Sequence, residues 1–238
     1  MFKNSSIFAS LLALMTLVAC DEGDIVDNDE GLKAEGKTAS LTATLTGVAS
    51  WSTQYSIVLA GFAEGSDNAI VQKKLQATDG EPLATTLTLT DNAIATVELC
   101  VTNRLRQRVV TFVSVPVSQL EGDTIRLDAG HLDIGMYKAI QDLVFTGTCA
   151  RCHGLGATPA GNLTLVEGQS YGQLVGHEAR RPENGIRVVP GKADESLLHK
   201  VIHGDPQAGV NFDHANMIKE QTTITLIDNW INAGADED

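Results

Sequence analysis

The nine residues TGTCARCHG, Thr146 to Gly154, decide how the second half of the chain is expected to fold. Two thiols stand three positions apart, and a histidine follows the second directly. With four cysteines and six histidines in 238 residues, chance is a poor explanation. A haem uses this spacing because both thiols reach vinyl carbons along one porphyrin edge, which puts the adjacent histidine beneath the iron. Zinc needs a fourth ligand, commonly a second pair. His199 and His203 stand at i and i+4 and keep that alternative open, although they flank Lys200 in an otherwise ordinary amphipathic stretch. A redox dithiol starts a helix after a strand in a βαβ unit, and no such unit is visible. The motif therefore reads as a haem c site, with Cys149 and Cys152 as covalent attachments and His153 as axial iron ligand.

Moving outward, the hydrophobic period changes across residues 130–133. Before it, alternation predicts about seven strands: ASLTATLTG, QYSIVLAGF, AIVQKKLQA, ATTLTLT, ATVELCVTN, RVVTFVSVPV and DTIRLDAG. Turn residues separate most of them, and Pro116 suits an edge strand. Short strands at this spacing predict an immunoglobulin-like β-sandwich over 38–130. After it, Ile134, Tyr137, Ile140, Gln141 and Val144 share a helical face that leads into the motif. SYGQLVG, capped by Ser170, DESLLHKVIHG from Asp194, and TTITLIDNWINAG complete about four helices. An all-α domain is thus expected over 133–238. Its apolar content is thin for that length, and a haem would supply the missing core. The fold class expected from sequence is therefore multidomain, all-β followed by all-α.

The two ends set the compartment. Lys3 precedes an apolar run from Ile7 to Val18, too short for a standard bilayer span. The run ends in Leu17-Val18-Ala19-Cys20, which resembles the bacterial lipoprotein cleavage box. That resemblance implies a signal peptide over 1–19, lipidation of Cys20 and stable anchoring by acyl chains. Residues 20–37 are rich in Asp, Glu and Gly and read as an acidic tether. The formal charge is −13, and loss of the single cation Lys3 with the signal makes it −14. Such a surface excludes nucleic acid as a charge-steered partner and favours one with a basic patch. Of the remaining thiols, Cys100 has no evident partner and reads as a small buried residue in a strand.

Residues 133–235 resemble a class I c-type cytochrome, and more narrowly the cytochrome modules of planctomycete and Bacteroidota proteins. The matching pieces, in order, are CARCHG, NLTLVEGQSYGQLVG, RVVPGKADESLLHKVIHG and IDNWINAGA. The resemblance implies a cytochrome c fold for this segment. It also implies that Met217, in HANMIKE, binds the iron from the face opposite His153. His214 and His203 are the alternatives; the family's usual Met-Pro is Met217-Ile218 here. The same resemblance places Trp230 and Tyr171 along the haem, Pro190 in a loop on its proximal side, and Arg180, Arg181, Arg187 or His177 near its propionates.

A centre ligated by His153 and Met217 has no open position and passes single electrons. The expected function is a lipid-anchored monohaem cytochrome c relaying electrons between redox proteins outside the cytoplasm, at the periplasmic face or cell surface. Haem-attachment machinery is then a partner during maturation. An electron carrier rather than an enzyme is implied. Two other readings stand beside it: a five-coordinate haem peroxidase or sensor, and a binding or assembly lipoprotein whose β-sandwich docks a partner.

Overall fold

The computed structural model describes residues 37–119, 122–180 and 185–237. The signal, Cys20, the tether up to residue 36, and Arg181 lie outside the described residues. The described residues all belong to one compact unit.

Seven strands occupy the first part: β1 Lys37–Thr46, β2 Tyr55–Ala63, β3 Ala69–Lys74, β4 Pro82–Leu89, β5 Ile94–Asn103, β6 Arg108–Pro116 and β7 Thr124–Asp133. They make two sheets, ordered β4-β1-β7 and β3-β2-β5-β6. Alternation explains β1, which buries Ala39, Leu41, Ala43 and Leu45 while Ser and Thr fill the positions between. β5 is buried on both faces. Val97, Leu99 and Val101 join the main core, whereas Cys100 joins Val58, Ala60, Phe62 and Ala69 in a second cluster behind the sheet. Pro116 ends β6, an edge strand, where its missing N–H breaks no central ladder.

Glu98 also lies on that second face, almost fully buried. Its Oε1 accepts from Arg108 at 2.7 Å and from Thr96 at 3.1 Å, and its Oε2 from Thr111 at 2.9 Å. Arg108 donates as well to Asp67 at 2.8 Å and lies over the Phe62 ring at 4.7 Å. A carboxylate taken out of water is tolerable only with such compensation.

The second part carries α1 Met136–Ile140, α2 Ser170–Leu174, α3 Leu197–Ile202 and α4 Gln221–Asn232. A π-helical turn, Gln141–Thr146, prolongs α1. Of these four helices only α4 exceeds two turns; the other described residues of the segment form loops, bends and short 3₁₀ turns.

The fold class expected from sequence is therefore corrected on two points. Labelled A to G in chain order, the strands pair as D-A-G and C-B-E-F, with A and G parallel. An immunoglobulin sandwich pairs them as A-B-E-D and C-F-G. Nor is the second part an all-α cytochrome c domain. Among the described residues the fold is mixed and β-rich, with two sheets and four short helices. The physical reason is that these helices are too short to enclose a core of their own, so they finish the core of the strands. One apolar cluster runs from Leu41, Leu99 and Leu127 through Ile140 and Phe145 to Ile227 and Trp230.

Three contacts fix that junction. Trp51 Nε1 donates to the Ile134 carbonyl at 2.6 Å, and Asn229 Nδ2 on α4 donates to the Tyr55 hydroxyl at 2.7 Å. Gly47, at φ 75°, meets Gly135 so closely that a Cβ on it would sit 2.5 Å from the Gly135 backbone. The helix starts also differ from expectation. Ser170 is the first residue of α2 rather than its cap, because its hydroxyl is engaged by Gln141 and, at 2.6 Å, by Tyr137. Asp194 sits in a separate 3₁₀ turn, and α3 begins at Leu197.

Candidate functional site

The motif follows the π-helical turn and is itself a tight turn. Cys149–Arg151 forms a 3₁₀ helix, closed by N–H donation from Cys152 and His153 to the Cys149 carbonyl at 3.1 and 3.0 Å. Gly154 is required by the same geometry: a Cβ there would lie 2.4 Å from the Ala150 carbonyl oxygen. Beyond it the chain returns, with Leu165 N–H donating to the His153 carbonyl at 2.6 Å and Ala160 N–H to that of Cys152 at 3.0 Å.

Within this turn the two thiols differ. Cys149 packs against the core, and burial pushes its thiol up to about 11, with the neighbouring Cys152 adding to the rise. Cys152 is exposed. His153 lies beside both, its Nδ1 2.8 Å from the Ala160 carbonyl. In the tautomer that donates this bond, Nε2 keeps its lone pair. Burial pushes the His153 imidazole below its ordinary value; the nearby His214 and Arg187 act in the same direction, against the carbonyls of Ala160 and Leu163.

The segment Phe212–Met217 approaches from far along the chain. The His214 ring stands 6.3 Å from that of His153, centroid to centroid, with the planes 24° apart. Phe212 meets His214 edge-on at 4.9 Å. Asp213 holds the turn by accepting from Ala215 N–H and Asn216 Nδ2, each at 3.0 Å, and Met217 N–H donates to the His214 carbonyl at 3.0 Å. Three large apolar side chains in these two segments face solvent: Leu155 at 78 % exposure, Phe212 at 58 % and Met217 at 38 %.

The other residues singled out from sequence have different surroundings. Trp230 is core: its ring lies 5.1 Å from that of Tyr137, and its Nε1 donates to the Asp236 carbonyl at 2.8 Å. Tyr171 meets Tyr137 edge-on at 5.3 Å. Arg187 is buried and ties loops together, donating to the carbonyls of Gln173 at 2.8 Å, Asn162 at 3.1 Å and Gly161 at 3.4 Å. Arg180 and His177 are exposed. The Pro190 loop docks on α4, where Gly191 N–H donates to the Ile231 carbonyl at 2.8 Å.

His203 is not beside His153. It pairs with His199, ring centroids 4.1 Å apart, and both rings bond Asp228 of α4. Asp228 escaped the sequence reading because a single Asp on the polar face of an amphipathic helix carries no spacing signal; only the packing of α3 on α4 makes it a partner.

Compared with family models, with curated proteins and with solved structures, the chain gives no match. Among the described residues, no helix is long and apolar enough to cross a membrane.

Proposed function

We propose that this protein carries single electrons through one haem c, attached by thioethers to Cys149 and Cys152, with His153 as an axial ligand. The CxxCH at 149–153 carries the reading, and the surrounding residues fit the group. Both thiols lie within one turn, one against the core and one at the surface. The carbonyl of Ala160 holds His153 Nδ1, which fixes the ring and leaves Nε2 for a metal, the usual outer-shell arrangement of a ligating histidine. Phe212, exposed and edge-on to the His214 ring that stands near His153, offers apolar surface for a macrocycle to cover. When bound, the haem supplies a reversible one-electron couple whose potential depends on axial ligand, burial and hydrogen bonding. Met217 is the proposed second ligand, with His214 as the competing donor that already lies against His153.

Cys20 would tether the protein to a membrane outside the cytoplasm by its lipid, with the acidic segment as spacer. The acidic balance, −13 for the whole chain, favours brief, salt-sensitive encounters with redox proteins that present a basic patch.

The test is expression with an export signal and the haem-attachment machinery. Intact mass should rise by one haem in the wild type and by none in the Cys149→Ser, Cys152→Ser double variant. A visible spectrum unchanged by carbon monoxide would support two protein ligands. An unmodified wild-type mass overturns the proposal, and carbon monoxide binding overturns the electron-carrier form of it.

A further inference from the structure

We infer that His199, His203 and Asp228 form a second site, for a divalent ion of the zinc class, independent of the haem reading. His199 lies in α3 and His203 one turn on, at its C-terminal cap, so both rings leave one helix face. Asp228 comes from the middle of α4. Its Oδ1 lies 2.7 Å from His199 Nδ1 and its Oδ2 2.8 Å from His203 Nε2. The three ligand atoms all fall within 4.8 Å of one another. Two donors on one zinc ion stand at most about 4 Å apart, so a small side-chain rotation closes the set.

Chemistry selects the ion. Two imidazole nitrogens and one carboxylate oxygen suit zinc, nickel or copper, whereas calcium and magnesium call for oxygen ligands. One carboxylate with two neutral imidazoles gives the site a net negative charge to set against a dication. Side-chain exposures of 26 %, 36 % and 19 % leave an entry path and room for water in the remaining position. A carboxylate that merely tied α3 to α4 would need one imidazole; the second ring on the same group is what a chelate adds. On binding, each imidazole moves the proton it shares with Asp228 to its other nitrogen and turns the freed lone pair on the ion. No net proton is lost while both rings are neutral.

The position gives the ion a structural consequence. α3 and α4 bound the segment Gly204–Glu220, which carries His214 and Met217. An ion held by both helices pins the two ends of that segment.

The experiment is calorimetric titration of the full-length mature protein with zinc, and with magnesium as a control. One saturable equivalent of zinc is expected, no response to magnesium, and a higher melting temperature with zinc present. His203→Gln and Asp228→Asn should each weaken binding about tenfold or more, while His177→Gln leaves it unchanged. Zinc-edge absorption fine structure of the loaded wild type needs no variant and should show only nitrogen and oxygen neighbours. A sulfur shell would mean that the Cys149 and Cys152 thiols had taken the metal. That result, absence of saturable binding, or unchanged affinity in both His203→Gln and Asp228→Asn overturns the inference.

Discussion

The strands and the segment after them solve the burial problem in opposite ways. β5 is covered on both faces, and even its one carboxylate, Glu98, is enclosed by Arg108, Thr96 and Thr111. The segment from Ile134 onward contributes to the same core through Ile140, Phe145, Ile227 and Trp230, yet leaves Leu155, Phe212 and Met217 in solvent. A sheet satisfies its backbone internally and needs only side chains to close it. Loops and five-residue helices spend their side chains on holding one another, as Arg187 and Asp213 do, and leave donor atoms at the surface. The chemistry collects where the packing is least complete.

That contrast can be broken most forcefully at Trp230, a buried aromatic that α4 contributes to the shared core. Trp230→Ala should cost about 3–5 kcal/mol and lower a single cooperative urea transition seen alike by circular dichroism and by Trp51 fluorescence. Two separate transitions would show that strands and helices fold independently. Arg108→Met, on the strand side, should cost about 3 kcal/mol, because Glu98 keeps its burial and loses its cation. Removing both charges with Glu98→Gln in the same chain should recover much of that loss. Ser170→Ala should cost about 1–3 kcal/mol, since it removes the buried hydroxyl that donates to Gln141 Oε1. The smallest effect is kinetic. In chain made without an attached cofactor, iodoacetamide should modify the exposed Cys152 first at pH 8. Cys149, with its thiol raised by burial to about 11, should react progressively faster as the pH is taken up to that value. Equal rates for the two at pH 8 would mean that Cys149 is not held in the core.

Much of the strand region was legible. The seven alternating segments are the seven strands, and Cys100 is the buried strand residue its lone position suggested. Period-two patterning is local, so it survives being read without a fold. The pairing was not legible: nothing in β1 announces a parallel partner eighty-odd residues away in β7. Burial of Glu98 was equally hidden, since an outward-facing acid in a strand looks the same whether or not an arginine covers it. In the second part the sequence places the helices, but it extends α2 and α3 beyond their observed ends and expects starts at Ser170 and Asp194 that the structure does not use in that way. Cap signals compete with other uses of the same hydroxyl or carboxylate, and at Ser170 the interior bonds won. The expected autonomous all-α domain failed for the reason already visible in its thin apolar content: the missing partners are β-strands of the same chain.

By itself, the sequence determined where the strands run, that two thiols and a histidine share one turn, and that the chain is strongly acidic, because each of these is a property of neighbouring residues. Only the tertiary structure decided that helices and sheets share one core, that His214 meets His153 across sixty residues, and that Asp228 joins His199 and His203. Those outcomes depend on which distant surfaces bury each other most completely, and that is a property of the whole chain.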